Sequence, residues 1–318
     1  MRLVILGAGA IGGAVGALLG RARHEVVLLA RGAHLAAIRE RGLRVETPDG
    51  AFVAALPASA PAEHAWRDDD VVLVATKTQD VEAALVELAA PVHVPIACLT
   101  NGVAAERIAL RRARTVYGAC VILPASHLAP GVVQLWAAPV PGSIDVGRYP
   151  DGADDRAFEL SGALASAGLL GEARRDIMRW KRGKLLSNLA NGVEALCGRA
   201  ARAGELVTAM RDEARACFAA ANLSVTTPEE DASRRVGYTL RPIAGAERAG
   251  GSTWQSLARG ARSVETDYLN GEIALLGRLH GVPTPINEAV QRIVADAARA
   301  GVAPGSMPLA ELEARARG

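Results

Sequence analysis

The stretch that most limits what this chain can become is its first 31 residues. Leu3-Val4-Ile5-Leu6 is an apolar run of strand length that stops at Gly7-Ala8-Gly9-Ala10-Ile11-Gly12. A helix of small residues is predicted from Gly13 to about Arg21, and a second strand over Glu25 to Ala30. Together they read as a βαβ unit, in which each glycine has a steric role. Gly7 makes the tight turn, Gly9 lets backbone approach a diphosphate, and Gly12 lets the helix pack closely on the strand. Unpaired N–H groups and the helix dipole favour negative charge at such a helix start. Gly7, Ala8, Gly9, Ala10, Ile11 and Gly12 are therefore candidate ligands of a dinucleotide, the strand–turn–helix context giving the motif its weight.

Leu3 to Gly20 carries no charge, and by length alone it could span a membrane. Six of its residues are glycine, clustered where a turn belongs, and only Arg2 precedes it as a basic residue. Neither a membrane span nor a signal peptide survives that pattern.

The residue after the second strand bears on cofactor choice. A site for NAD places a carboxylate about 20 residues beyond the glycines to hold the ribose 2′-hydroxyl. Here Leu28-Leu29-Ala30 ends at Arg31 with no carboxylate beside it. A guanidinium there suits a 2′-phosphate through charge-assisted, often bidentate contact, which predicts NADP(H).

Composition closes several other routes. The 318 residues, half of them hydrophobic, suffice for two ordinary domains, and a net charge of +2 leaves no basic field to attract nucleic acid. Cys98, Cys120, Cys197 and Cys217 are scattered without a CxxC, which suits a reducing cytoplasm. The six histidines form no HxxH or HExxH pair, so no metal site is expected. Of the 36 basic residues only Lys77, Lys181 and Lys184 are lysines. A chain that uses Arg almost everywhere for surface charge should keep Lys where Arg cannot substitute, and proton chemistry is one such place.

Along the chain, strands and helices alternate. A helix over His34 to Arg41 precedes a strand over Leu43 to Thr47, with Ala51 to Leu56 as its hairpin partner. Val71 to Ala75 is a continuous apolar run of the kind found in central parallel strands, followed by a helix from Val81 to Ala89. Pro95 to Leu99 is the next strand, and a helix from Ala104 to Arg111 follows. This alternation predicts an α/β fold with an N-terminal Rossmann-type doubly wound sheet, whose ligands bind beyond the carboxyl ends of the strands. Gly7–Gly12, Arg31, Lys77 and Asn101 all fall at such ends. Segments 116–123, 132–137 and 143–147 are expected as a meander finishing the sheet, and Asp154 to Ala167 as a helix. Beyond Asp176 helical patterns take over, so the expected domains are 1–175, binding the dinucleotide, and 176–318, a mostly α-helical second domain. Thr226 to Gly251, rich in Pro, Gly and Arg, is expected as an irregular loop.

Within the second domain, Asp176 to Ala195 reads as one helix that carries Lys184, Asn188 and Asn191 at i, i+4 and i+7. That spacing puts all three on one face, polar where a core stripe would be apolar. Hydroxyls in the stretch Gly251 to Ser256 and a carboxylate in the stretch Arg262 to Gly271 could complete a pocket for an anionic, carbonyl-bearing substrate.

These features resemble the ketopantoate reductase family over almost the whole chain. They are the GAGAIG turn, Arg31, the TKTQ around Lys77, Asn101-Gly102, Trp180 with Lys184 and Asn188, and the run Glu265-Thr266-Asp267-Tyr268-Leu269-Asn270-Gly271. The resemblance implies NADPH-dependent reduction of a 2-oxo acid, with Lys184 as proton donor and Asn188 and Thr253 as substrate ligands. Asn191 is expected beside them, one place before Gly192, where the family carries a second asparagine; a further family asparagine near Ala203-Gly204 is absent. Lys77, Asn101 and Glu265 are implied to hold the cofactor, Glu265 also contacting the active-site lysine. The expected partner is a small-molecule 2-oxo acid, with neither nucleic acid nor membrane, and the resemblance leaves a homodimer open. Two alternatives stand beside it: a reductase of the same family acting on another oxo acid or an imine, and a non-catalytic NADP(H)-binding sensor.

Overall fold

A computed structural model describes residues 1–234, 236–248 and 250–317. In chain order its strands and helices begin β1 (Arg2–Leu6), α1 (Ala10–Arg21), β2 (Val26–Leu29), α2 (Gly32–Arg41), β3 (Leu43–Thr47), β4 (Gly50–Ala54) and β5 (Ala58–Ser59). They continue with β6 (Asp70–Val74), α3 (Val81–Leu88), β7 (Ile96–Cys98), α4 (Ala105–Ala109), β8 (Val116–Ile122), β9 (Ala125–Ser126), β10 (Val132–Leu135), β11 (Ala137–Pro139) and β12 (Ser143–Arg148). Then come α5 (Asp155–Ser166), α6 (Ile177–Asn188), α7 (Asn191–Cys197), α8 (Glu205–Ala220), α9 (Pro228–Ser233) and β13 (Tyr238–Leu240). The chain closes with α10 (Ser252–Ala258), α11 (Asn270–His280), α12 (Pro285–Ala300) and α13 (Leu309–Arg317). The protein is α/β, with a Rossmann-type N-terminal domain and a helical C-terminal one.

Two compact units divide the chain. The first holds residues 1–100, 105–180 and 228–248. Its main sheet runs β12-β8-β7-β6-β1-β2-β5, parallel except for β12. β1, β2 and β6 are buried along their whole length, as apolar runs covered on both faces must be. One face packs on α1 and α5, the other on α3 and α4. The order runs outward from β1 in both directions, so the connection reverses between β1 and β6. That switch point is where an open α/β sheet offers its crevice.

The expected meander is only partly present. β8 and β12 finish the main sheet as an antiparallel pair, but β10 leaves it. It pairs parallel with β3 in a separate sheet, β4-β3-β10-β9. Its alternate residues Val133 and Leu135 are buried, the pattern of a strand with one covered face, and Val133 packs where α1 exposes Gly13. Residues 228–248 also depart from expectation. They form α9 and β13, which pairs antiparallel with β11, and so return to the first unit rather than to a helical domain starting at 176. Arg234 fastens them there, donating to Asp145 and to the carbonyl of Cys120, at 2.6 Å for the latter. Arg235 and Ala249, which belong to the stretch expected as a loop, lie outside the described residues.

The second unit comprises residues 101–104, 181–227 and the chain after 249. Leu189, Met210, Phe218, Ile273, Val290 and Val294 are among its core side chains. α12 carries the clearest one-sided pattern, burying Val290, Ile293, Val294 and Ala297 while its other face is polar. Among the described residues no helix is long and apolar enough to cross a membrane.

Candidate active site

The predicted site residues fall into two groups, one in each unit. In the first, β1 ends at Gly7, whose φ of +99° is open to glycine and strained for other residues. A Cβ at Gly7 would also lie 2.9 Å from Thr76 Cγ2. At Gly12 a Cβ would lie 2.1 Å from the carbonyl oxygen of Gly7, so only hydrogen lets α1 begin so close to β1. Gly9 differs from both. It caps α1, and a Cβ there would meet nothing within 4 Å. The start of α1 therefore faces open space over Gly9, carries no acidic residue in its first turn, and can receive an anion.

Across the switch point, β6 ends beside this turn. Thr76 Oγ1 and Gln79 Oε1 are buried there without a hydrogen-bond partner. Such groups cost free energy unless something completes them, so the residues present fit a polar ligand such as a dinucleotide. Lys77 precedes a short 3₁₀ turn, Thr78–Asp80, that leads into α3. Arg31 caps α2, as expected for a residue just past β2. Its guanidinium is exposed and paired with Glu87 of α3, its Nε donating at 3.3 Å and its Nη2 donating more closely. Glu87 was not legible from sequence, since 56 residues separate the pair.

In the second unit, Lys184 Nζ donates to Asn101 Oδ1 at 2.9 Å, and Asn188 Nδ2 donates to the same oxygen at 3.3 Å. Asn101, expected among the cofactor ligands, is thus bound to the lysine and asparagine of α6. Gly102 follows with φ +72°, and a Cβ there would lie 2.7 Å from the carbonyl oxygen of Tyr268. The Asn101-Gly102 turn is seated in this way on the 3₁₀ turn Glu265–Tyr268, where Glu265 is buried. Thr253 is buried in the first turn of α10. Near both, Ser252 Oγ and Thr266 Oγ1 are buried and lack partners.

The expected single helix over 176–195 is two helices, α6 and α7, broken at Leu189-Ala190. Arginines take the carbonyls that a continuous helix would use. Arg211 Nε donates to Leu186 O at 3.2 Å and Arg202 Nη2 to Ser187 O at 3.0 Å. Burial, with Arg202 and Arg215 nearby, pushes the pKa of Arg211 down. The break removes Asn191 from the shared face. Its Oδ1 accepts from Arg202 Nη1 at 3.0 Å, and the same guanidinium pairs with the buried Glu194. Glu194 Oε1 in turn accepts from the N–H of Gly251 at 3.0 Å, anchoring the residue before α10. Gly192 points elsewhere: a Cβ there would lie 2.7 Å from Val294 Cγ2 of α12. The Glu194–Arg202 network leaves no mark on the sequence, because the pairing needs the chain to turn after α7.

Chemically, the first unit presents an anion-binding helix start with unsatisfied polar groups beside it. The second presents an ammonium held by an amide oxygen, with a second amide alongside. No group of histidine, cysteine and carboxylate side chains among the described residues could hold a metal ion.

Comparison with known proteins gives the family. Residues 3–151 match the family described as ketopantoate reductase PanE/ApbA, and residues 176–298 its C-terminal counterpart. A 2-dehydropantoate 2-reductase of Archaeoglobus fulgidus is 30% identical over 302 residues, covering 92% of this chain and 96% of that protein. Among solved structures, a PanE/ApbA family ketopantoate reductase from Ralstonia eutropha superposes with a TM-score of 0.78 at 27% identity, covering 95% of this chain and 99% of that one. A ternary structure of D-mandelate dehydrogenase with NADH and anilino(oxo)acetate superposes at 0.81 and 25% identity, covering 95% of this chain and 100% of that one.

Proposed function

The chain belongs to the ketopantoate reductase family, and from that premise we propose that it reduces a 2-oxo acid to a 2-hydroxy acid with NADPH, ketopantoate being the leading substrate. The observation that carries this reading is the shared acceptor, Asn101 Oδ1, which gathers Lys184 and Asn188 onto one point. A sensor would need the dinucleotide turn but not this arrangement around a lysine. A cytoplasmic setting belongs to the same reading and is supported by four free cysteines.

Gly7 to Gly12 would hold the diphosphate, Arg31 and Lys77 the phosphorylated ribose, and Thr76 and Gln79 would gain partners from the bound dinucleotide. When bound, the nicotinamide supplies a hydride to the carbonyl carbon of the substrate. Lys184 would stabilise the negative charge that grows on the carbonyl oxygen and supply its proton, leaving a C–H and an O–H where the carbonyl was. In the resting protein Asn101 Oδ1 accepts from the ammonium and holds it in place. Asn188 and Thr253 would bind the carboxylate or hydroxyl of the substrate. Asn191 joins them only if it exchanges its contact with Arg202. Glu265, implied by resemblance to touch cofactor and lysine, would act through the Asn101-Gly102 turn, which meets the carbonyl of Tyr268 at the end of the same 3₁₀ turn.

A second reading is favoured by the D-mandelate dehydrogenase likeness and by Gly192: the same chemistry on a different 2-oxo acid. NADPH oxidation measured with ketopantoate beside a panel of branched and aryl 2-oxo acids tests both. A clear advantage for ketopantoate in kcat/KM supports the first, and an advantage for another acid the second. NADPH binding without turnover of any acid overturns both in favour of a sensor.

A further inference from the structure

The glycine turn is gripped from outside by a histidine. His34, in α2, places Nε2 2.8 Å from the carbonyl oxygen of Ala8, and the backbone N–H of Gly131 reaches its Nδ1 at 2.9 Å. A carbonyl oxygen only accepts and an amide N–H only donates, so these contacts require the neutral ring with its proton on Nε2. Burial favours the same state, lowering the pKa of the half-buried imidazole. The ring of His127 packs against it, centroids 4.2 Å apart. Gly131 itself is seated on α2, where a Cβ would lie 2.9 Å from Cβ of Ala37.

The contact matters because of where Ala8 stands. Its carbonyl belongs to the same planar peptide as the N–H of Gly9, and in a trans peptide the two point in opposite directions. The N–H of Ala8 is already committed to Leu29 O at 3.2 Å. Holding the carbonyl toward His34 therefore turns the N–H of Gly9 the other way, at a residue whose surroundings are open.

We infer that His34 is a positioning residue for the dinucleotide: by holding the Ala8 carbonyl it aims the Gly9 N–H at the cofactor's diphosphate. The inference rests on the proposed nicotinamide dinucleotide in the first unit. It is tested by binding of three probes to the wild type, His34→Phe and His34→Gln. NADPH and ADP-ribose contain the diphosphate, and adenosine 2′-monophosphate lacks it. His34→Phe keeps a ring against His127 but loses both hydrogen bonds. It should weaken NADPH and ADP-ribose by about three- to tenfold, as for one neutral hydrogen bond. Adenosine 2′-monophosphate should stay within about twofold, and so should kcat at saturating NADPH. His34→Gln, whose amide can still donate to Ala8, should recover part of the loss. Equal losses for all three probes, or no loss for ADP-ribose, overturn the inference. Nitrogen NMR of the wild-type imidazole needs no variant: an Nδ1–H or doubly protonated ring at neutral pH also overturns it. Wild-type protein that binds neither NADPH, NADH nor ADP-ribose overturns the dinucleotide reading itself, whereas binding without turnover overturns only the catalytic one.

Discussion

Lys184 and Asn101, 83 residues apart in the chain, are joined by a 2.9 Å hydrogen bond from Nζ to Oδ1. Asn188 donates to the same oxygen, so one amide carbonyl holds the ends of both side chains. Preorganisation of this kind saves the rotamer entropy that a lysine would otherwise lose at the moment of reaction. If Lys184 is the general acid, Lys184→Ala should lower kcat by about 10²–10⁴ and spare NADPH binding. Lys184→Arg keeps the charge but cannot release a proton near neutral pH, so it should rescue little. Near-normal turnover by the Ala variant would remove Lys184 from the mechanism.

Asn188 and Thr253 are proposed to hydrogen-bond an anionic substrate, a contact worth roughly 1.5–3 kcal/mol. Asn188→Ala and Thr253→Val should each reduce kcat/KM for the oxo acid by about ten- to a hundredfold, with NADPH affinity nearly unchanged in fluorescence titration. A matching loss of NADPH affinity would assign them to the fold or to the cofactor.

Arg31 and Glu87 predict an adjustable cofactor preference. Arg31→Ala should raise KM for NADPH roughly ten- to a hundredfold and leave that for NADH nearly unchanged. Glu87 holds the guanidinium that a 2′-phosphate would need. An exposed pair is worth about 0–1 kcal/mol, so Glu87→Gln should strengthen NADPH binding by no more than about fivefold. Steady-state kinetics with both cofactors decides it, and weaker NADPH binding in Glu87→Gln would mean that the carboxylate orients Arg31 instead of competing for it.

At Gly192 the structure explains a departure from the family pattern. A side chain there meets Val294, itself fully buried, so Gly192→Asn should destabilise the protein by about 1–3 kcal/mol through overpacking. Adding Val294→Ala should return part of that loss in denaturant unfolding. A Gly192→Asn variant as stable as the wild type would show that α7 and α12 can separate freely.

A pH-dependent contribution comes from the buried pair at the start of β1 and β6. Arg2 donates to Asp70 at 2.6 and 2.8 Å, and the N–H of Arg67 and the ring of His64 also reach the carboxylate. Burial raises the pKa of Asp70, but these contacts, Arg2 first, outweigh it and leave the pKa below its ordinary value. A depressed carboxylate contributes stability above its unfolded pKa of about 3.9, and loses it as pH falls through the folded value. Asp70→Asn should therefore lower the unfolding free energy at pH 7, with the gap to wild type narrowing below about pH 4. A gap that stays constant down to pH 3 would contradict the assignment.

The sequence by itself determined what depends on neighbours along the chain. Gly7 and Gly12 announce a βαβ turn because their steric demands act over six residues, and Gly9 completes the motif where the backbone lies open. The buried strands β1 and β6 are legible because a parallel strand covered on both faces must be apolar throughout. Helical spacing set Lys184 and Asn188 on one face, and both side chains do meet Asn101 there. Tertiary structure decided the rest, since pairing across long separations leaves no local mark. It placed β10 beside β3, returned residues 228–248 to the first unit, and gave Asn101 to Lys184. It also broke the helix after Asn188, because Arg202 and Arg211 arrive from later elements to take the carbonyls of Ser187 and Leu186. Spacing fixed which residues could share a face, but only the folded chain fixed which hydrogen bonds they would make.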